Sequence, residues 1–377
     1  MRMIKLAHCF TIFAVAITAN LMLPHMAQAG FVHASGTSLS LDGKTFIPVG
    51  VGHMDVTSLW VATNTTPTNS WVTENDFKNL SRAGFNSMRL AVKTDYFQDP
   101  KPPHAFNAKG FAWLDQRMVW AKRYGMRLIL DMHMPTGGTP QDYRVTTDAQ
   151  AFWADPWLKG RFVDVWREIA RRYANEQAIW AYDMMNEPAT WDYAAYERLM
   201  RDTSTAIRKY DKNHVIIVQP GMFTSPTGSV ELMYPNVAIN NAANSLHFYQ
   251  PVEFTHFGVY WGVTGKNAKT SYPDSPTTPN AWSSTTTKLA FFAAYDLAAD
   301  TGRPVVLTEF GTVFHARETG QVRWLNDVLD AARAKKTGWH YWYYKGPAYI
   351  GEMGLTVRYG QPRPRTWALL KKYAAQP

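Results

Sequence analysis

The sequence predicts an α/β protein, a single (β/α)8 TIM barrel with elaborated βα loops. Three observations carry that reading. Short apolar runs of strand-forming residues alternate with longer amphipathic runs, and the unit repeats eight times. The short runs are apolar nearly throughout, the pattern of parallel strands covered on both faces. Two of them, Ile179-Trp180-Ala181-Tyr182-Asp183-Met184-Met185-Asn186-Glu187-Pro188 and Pro304-Val305-Val306-Leu307-Thr308-Glu309-Phe310-Gly311, end in a glutamate just ahead of a chain-breaking Pro or Gly.

Taken in order, the first strand is predicted at 46–52, followed by a long polar loop that carries Trp60 and Trp71 and by a helix at 73–83. The second strand, 85–92, leads to a helix at 108–124, and the third, 126–133, to a helix at 156–173. The fourth spans 178–185 and precedes a helix at 193–210. After the fifth, 215–219, the unit weakens, because 223–240 shows no sustained helical period. The sixth, 244–249, is separated from a helix at 284–300 by an ornamented loop. The seventh, 304–309, is followed by a helix at 319–335, and the eighth, 338–344, by a closing helix at 364–373. Eight successive units favour a closed barrel over an open sheet. No linker rich in Ser, Thr or Pro divides the chain, and 377 residues suit one barrel with long loops.

Residues 1–29 read as a signal peptide and 30–377 as the barrel domain. Arg2 and Lys5 precede an apolar stretch over 6–19, Asn20, Pro24 and His25 cut it short of a membrane span, and Ala27-Gln28-Ala29 has the small-x-small form of a cleavage site. The expectation is an exported protein, secreted or periplasmic, with no membrane partner. The single cysteine, Cys9, falls inside that leader, so stability must come from the core. Lys and Arg number 39 against 30 acidic residues, and losing Arg2 and Lys5 leaves 37 against 30. The basic pairs Arg171-Arg172, Lys335-Lys336 and Lys371-Lys372 sit at predicted helix ends, where cations offset the dipole, so no nucleic-acid partner is expected. With 15 Trp, 19 Tyr and 19 Phe there is material for a large core and for aromatics that face a ligand. Nothing requires more than a monomer.

In such a barrel, chemistry sits at the carboxyl ends of the strands. The polar and aromatic residues there are Arg89, His133, Asn186, Glu187, His247, Tyr249, Glu309 and Trp342. A carboxylate at the end of an apolar strand is costly to bury and a poor choice for packing alone. Two of them suit cleavage of an acetal: one acid protonates the departing oxygen while a second carboxylate faces the anomeric carbon. Glu309 is expected as nucleophile, kept ionised by Arg89 and held by Tyr249. Glu187 is expected as acid and then base, its charge disfavoured by Glu309 and by its surroundings. Asn186 is placed to grip the neighbouring sugar hydroxyl, His133 and His247 to bind other hydroxyls or orient the acid, and Trp342 to stack on a pyranose.

Asn186-Glu187-Pro188, His247-Phe248-Tyr249, Thr308-Glu309-Phe310-Gly311 and Trp342, with Arg89 and His133, resemble glycoside hydrolase family 5 over almost the whole chain beyond the leader. The resemblance implies a retaining enzyme that works by double displacement with no metal and no organic cofactor, Glu187 as acid/base and Glu309 as nucleophile. Its partner would be a β-linked polysaccharide or oligosaccharide. Leu246-His247-Phe248-Tyr249-Gln250-Pro251 with Phe254-Thr255-His256 is most similar to bacterial endo-β-1,4-glucanases, although mannanases, xyloglucanases, 1,3-glucanases and β-glycosidases share the eight positions. Subsite aromatics are sought among Trp60, Trp71, Trp153, Trp157, Trp191, Tyr193, Tyr260 and Trp261. Two readings from other classes are a metal-dependent hydrolase built on Asp131, His133 and His247, disfavoured by the lack of a His-x-His on strand one, and an inactive carbohydrate-binding barrel, disfavoured because both glutamates are present.

Overall fold

The computed structural model describes residues 30–54, 72–135, 147–224, 230–258, 269, 271–275, 277, 281–314, 316–345, 353–357 and 361–376. The leader at 1–29 and the loop aromatics Trp60, Trp71, Tyr260 and Trp261 lie outside the described residues.

Eight parallel strands close a barrel in chain order: Val49–Met54, Ser87–Lys93, Arg127–Met134, Ile179–Asp183, Val215–Val218, Ala242–His247, Val305–Phe310 and Gly338–Tyr341. The eighth returns to the first, Trp339 against Val49. Helices Glu74–Arg82, Ala108–Arg123, Pro156–Tyr173, Tyr193–Arg208, Ser284–Ala299, Glu318–Ala334 and Pro364–Ala374 lie within a few residues of their predicted positions. Their starts are chemically marked. Asn107, Asp155 and Asp192 accept from the backbone N–H groups of Lys109, Trp157 and Ala195, which have no carbonyl partner within the helix.

Four features depart from the sequence reading. The fifth unit, where the sequence shows no sustained helical period, has no helix among its described residues and carries an unpredicted antiparallel strand pair, Gly221–Thr224 against Val230–Met233. A helix at Thr147–Ala154 precedes the third unit's main helix. The fourth and eighth strands end early, at Asp183 and Tyr341, so Asn186, Glu187 and Trp342 sit just beyond strand ends. Finally, Val32–Ser35, Ser38–Leu41 and Lys44–Thr45 form a three-stranded antiparallel sheet. Val32 and Leu39 from that sheet pack with Ile129, Trp180, Val215, Ile217 and Val306 of the barrel strands. This apolar cluster closes the floor, because Trp180 and Val215 lie toward the starts of their strands while the carboxyl ends stay free for polar residues.

The tryptophans explain how the mouth is held. Trp166 donates its indole N–H to Met184 O at 3.0 Å, Trp153 to Ala189 O at 2.6 Å and Trp324 to Gln250 O at 2.8 Å. Each is a buried aromatic whose one donor needs a partner, and each finds it in a loop that leaves a barrel strand. Trp153 is therefore a packing residue, which corrects its reading as a subsite candidate. Register shifts at Leu246/His247 and between Leu307 and Phe310 redirect the ends of strands six and seven, where His247 comes opposite Glu309.

Candidate active site

Arg89, on the second strand, is fully buried and organises the mouth. Its Nε donates to Asp183 Oδ2 at 2.9 Å, one terminal nitrogen to Glu309 Oε1 at 2.5 Å and the other to Asn186 Oδ1 at 2.7 Å. Asp131 Oδ1 lies 3.1 Å from that last nitrogen. Burial works against the guanidinium charge, but Asp131, Asp183 and Glu309 outweigh it and hold Arg89 more firmly protonated than an exposed arginine. One cation thus serves three carboxylates, too few for all of them. Burial pushes Asp131 up to about 7 and Asp183 up to about 6, against the attraction of Arg89. The two compete for the same cation, so they titrate as a coupled set.

Glu309, the next-to-last residue of the seventh strand, has donors on both oxygens, Arg89 on one and the Tyr249 hydroxyl at 2.9 Å on the other. Burial, followed by the charges of Glu309 and Glu187, pushes the Tyr249 phenol well above its ordinary range, so it stays a donor. Glu187 lies across the mouth, its Oε1 accepting from His247 Nδ1 at 2.8 Å, and the same nitrogen is 3.5 Å from Glu309. Burial pushes the Glu187 carboxyl above the usual glutamate range, opposed first by His133 and then by Arg89, so of the two causes the sequence suggested, Glu309 and the surroundings, the surroundings are the one that acts. A third of that side chain, 34%, still faces the opening, and solvent limits the rise.

His133 and His247 are both driven down to about 4 by burial, so near neutrality they act as uncharged hydrogen-bonding rings. His133 Nδ1 meets Asp131 Oδ2 at 2.8 Å and its Nε2 faces the Asn186 amide at 3.5 Å, which places the ring proton on Nδ1. The His133 ring stacks on Trp342 at 5.0 Å with planes 8° apart. Trp342 itself is nearly covered, 8% exposed, and backs onto Gly52.

All eight residues expected at the mouth are brought together. Asp183 and Gln219 escaped the sequence reading, and Asp131 entered it only as a metal ligand. Their signal was present: each is a polar residue in or at the end of an apolar strand, the same oddity that singled out the glutamates. Of the outlying aromatics, Trp157 and Trp191 are 47% and 61% exposed, while the Tyr193 hydroxyl is spent on Tyr234 O.

The ligand atoms of Glu187, His247 and Glu309 all lie within 4.8 Å of one another. Carboxyl groups about 5–5.5 Å apart fit direct attack on an anomeric carbon, whereas a water interposed between them needs about 6.5–9.5 Å. The same three side chains are the closely spaced donor set among the described residues, where Asp131, His133 and His247 do not converge on one point. Among the described residues no helix is long and apolar enough to cross a membrane.

Comparison with known proteins agrees with this geometry. Endoglucanase C of Acetivibrio thermocellus is 25% identical over 296 residues, which cover 73% of this chain and 84% of that protein. Cellodextrinase A of Ruminococcus flavefaciens is 23% identical over 268 residues, 69% of this chain and 74% of the relative. The fold of Thermotoga maritima Cel5A, solved with mannotriose, superposes with a TM-score of 0.67 at 20% identity, over 86% of this chain and 97% of that one. The family model described as Cellulase (glycosyl hydrolase family 5) matches residues 49–347, from the first residue of the first barrel strand to just past Trp342. The protein is a glycoside hydrolase and belongs to glycosyl hydrolase family 5, the cellulase family.

Proposed function

We propose that this enzyme is a retaining endo-β-1,4-glucanase that cleaves internal bonds of a β-glucan. The observation that carries the reading is the facing pair, Glu309 gripped by Arg89 and Tyr249, and Glu187 held by His247, with a carboxylate oxygen of each within 4.8 Å of one from the other. In the first step a Glu309 oxygen attacks the anomeric carbon while Glu187 gives its proton to the departing glycosidic oxygen. A glycosyl ester on Glu309 and a free chain end result. In the second, Glu187, now ionised, takes a proton from water as the water oxygen displaces Glu309, and the starting configuration is restored. Asn186, locked through Arg89 and His133, meets the hydroxyl beside the anomeric carbon, and Trp342 supports the ring.

The raised Glu187 carboxyl sets the pH response. Glu187 must be protonated to begin a cycle, so its upward shift carries the alkaline limb of kcat/KM above the usual glutamate range. Glucan specificity rests on the endoglucanase relatives and on the loop after strand six. Export rests on the leader pattern. The test uses protein recovered from the periplasm or medium, with Gly30 expected as its first residue, on carboxymethyl cellulose, glucomannan, xyloglucan, mixed-linkage glucan and laminarin. A rapid viscosity drop and β-configured short oligosaccharides from the cellulose derivative are expected. Activity confined to another glycan would replace the substrate, and α-configured first products would overturn the retaining mechanism.

Gly52 gives a second check. A Cβ there would lie 2.4 Å from Trp342 Cε3, so Gly52→Ala must displace the indole. Loss of one aromatic platform corresponds to about tenfold in kcat/KM, carried mainly by KM. Cello-oligosaccharide kinetics with KM unchanged would remove Trp342 from the binding surface.

A further inference from the structure

Glu187 adopts a left-handed backbone, φ +43°, immediately before Pro188. A non-glycine residue enters that region only when its surroundings over-determine it. One of those surroundings is Gln219, a buried residue just past the end of strand five. Its side-chain oxygen accepts the Glu187 backbone N–H at 2.8 Å, and its amide nitrogen donates to both oxygens of Asp183 at 3.0 Å. The chemistry allows one orientation of that amide: Asp183 accepts and the Glu187 N–H donates, so oxygen and nitrogen cannot exchange. The Gln219 backbone carbonyl is in turn held by the Tyr196 hydroxyl at 2.5 Å.

Asp183 receives Arg89 Nε, and Arg89 holds Glu309. Arg89, Asp183 and Gln219 therefore link the side chain of Glu309 to the backbone of Glu187 by a continuous chain of hydrogen bonds. We propose that Gln219 is a positioning residue that fixes the backbone of Glu187 so that its carboxyl is aimed at the departing glycosidic oxygen, in register with Glu309 through Arg89 and Asp183. A residue needed only to satisfy Asp183 would matter for folding and not for proton delivery. The proposal rests on Glu187 being the acid of the first step, and the test separates the two.

The experiment compares kcat/KM, which reports the steps through the glycosyl-enzyme, on cellotetraose and on 2,4-dinitrophenyl β-cellobioside. The dinitrophenolate departs without a proton, so an error in aiming the acid is invisible on it. Gln219→Met, similar in size and without the amide, is expected to lose about 10²-fold on cellotetraose through kcat, with KM unchanged and less than about threefold loss on the aryl glycoside. Gln219→Glu keeps the acceptor for Glu187 but sets a second carboxylate against Asp183. Its shortfall on cellotetraose relative to wild type is expected to shrink from pH 7 to pH 5, as one proton restores the bridge, and this variant decides the matter if the methionine form does not fold. Equal losses on both substrates, or no loss on either, overturn the proposal. If Glu187→Ala also loses equally on both, the acid assignment itself is wrong.

Discussion

Glu309→Ala is expected to abolish turnover of β-glucan, with a fall of about 10⁴-fold or more, in a protein that still folds. A loss that large follows from the proposed mechanism, in which this carboxylate bonds to the sugar and neither half of the double displacement can occur without it. Folding survives because Arg89 keeps Asp131 and Asp183, so the cation is not orphaned when one of its acidic partners leaves. The vacated space also lies beside two donors, Arg89 and Tyr249, that formerly served the carboxylate. A small anion such as azide should occupy it and attack from the same face, releasing an α-glycosyl azide from an activated β-glycoside. Kinetics with and without azide, together with the product's anomeric configuration, check the assignment. Activity within tenfold of wild type would end the claim that Glu309 is the nucleophile.

Arg89→Leu is expected to have the second largest effect, and here the fold itself is at stake. The substitution leaves Asp131, Asp183 and Glu309 buried without their shared cation, and breaking a buried pair from one side costs about 3–5 kcal/mol. The sign of the pH dependence follows from what Arg89 does to its neighbours. It pulls Asp131 and Asp183 down, yet burial still leaves them at about 7 and about 6, above the ordinary 3.8. Without it both rise further. A carboxyl raised on folding leaves stability intact below its unfolded value and erodes it as pH climbs toward the folded value. The deficit of Arg89→Leu relative to wild type should therefore be small near pH 4 and grow toward pH 8. Urea midpoints at the two extremes measure it, and a deficit independent of pH would show that packing, not charge, is what Arg89 supplies.

The strands and most helices were legible because hydrophobic period and length agree in each unit, and the glutamates because a charge ending an apolar run contradicts its surroundings. The floor was missed although a signal stood in plain view. Asp42-Gly43 between two short strands is a two-residue hairpin turn, and both residues have positive φ, 52° and 75°. Strands of four and two residues, with two apolar side chains in the first and none in the second, do not build a period, so only the turn could have betrayed them. Asp183 lay inside an apolar run whose other members drew attention to its end. Gln219 closed the strand of the weakest unit, where no helix followed to mark it. The aromatic surplus was read toward ligand, whereas Trp153, Trp166 and Trp324 are spent on the backbone of the loops around the mouth.

The three-stranded floor bears on the electric field of the molecule. Basic residues outnumber acidic ones, 39 to 30, so from a distance the protein is a cation. Within the barrel, Asp131, Asp183 and Glu309 share the buried Arg89, and toward the strand starts lies an apolar layer that includes Val32, Leu39, Trp180 and Val306. Field lines avoid such weakly polarisable matter, so the negative potential of the cluster is squeezed toward the open end instead of leaking through the base. The positive charge that develops at an anomeric carbon as its bond breaks is met by that concentrated potential. By adding apolar matter at one end of the barrel, a small sheet sharpens the electrostatic well at the other.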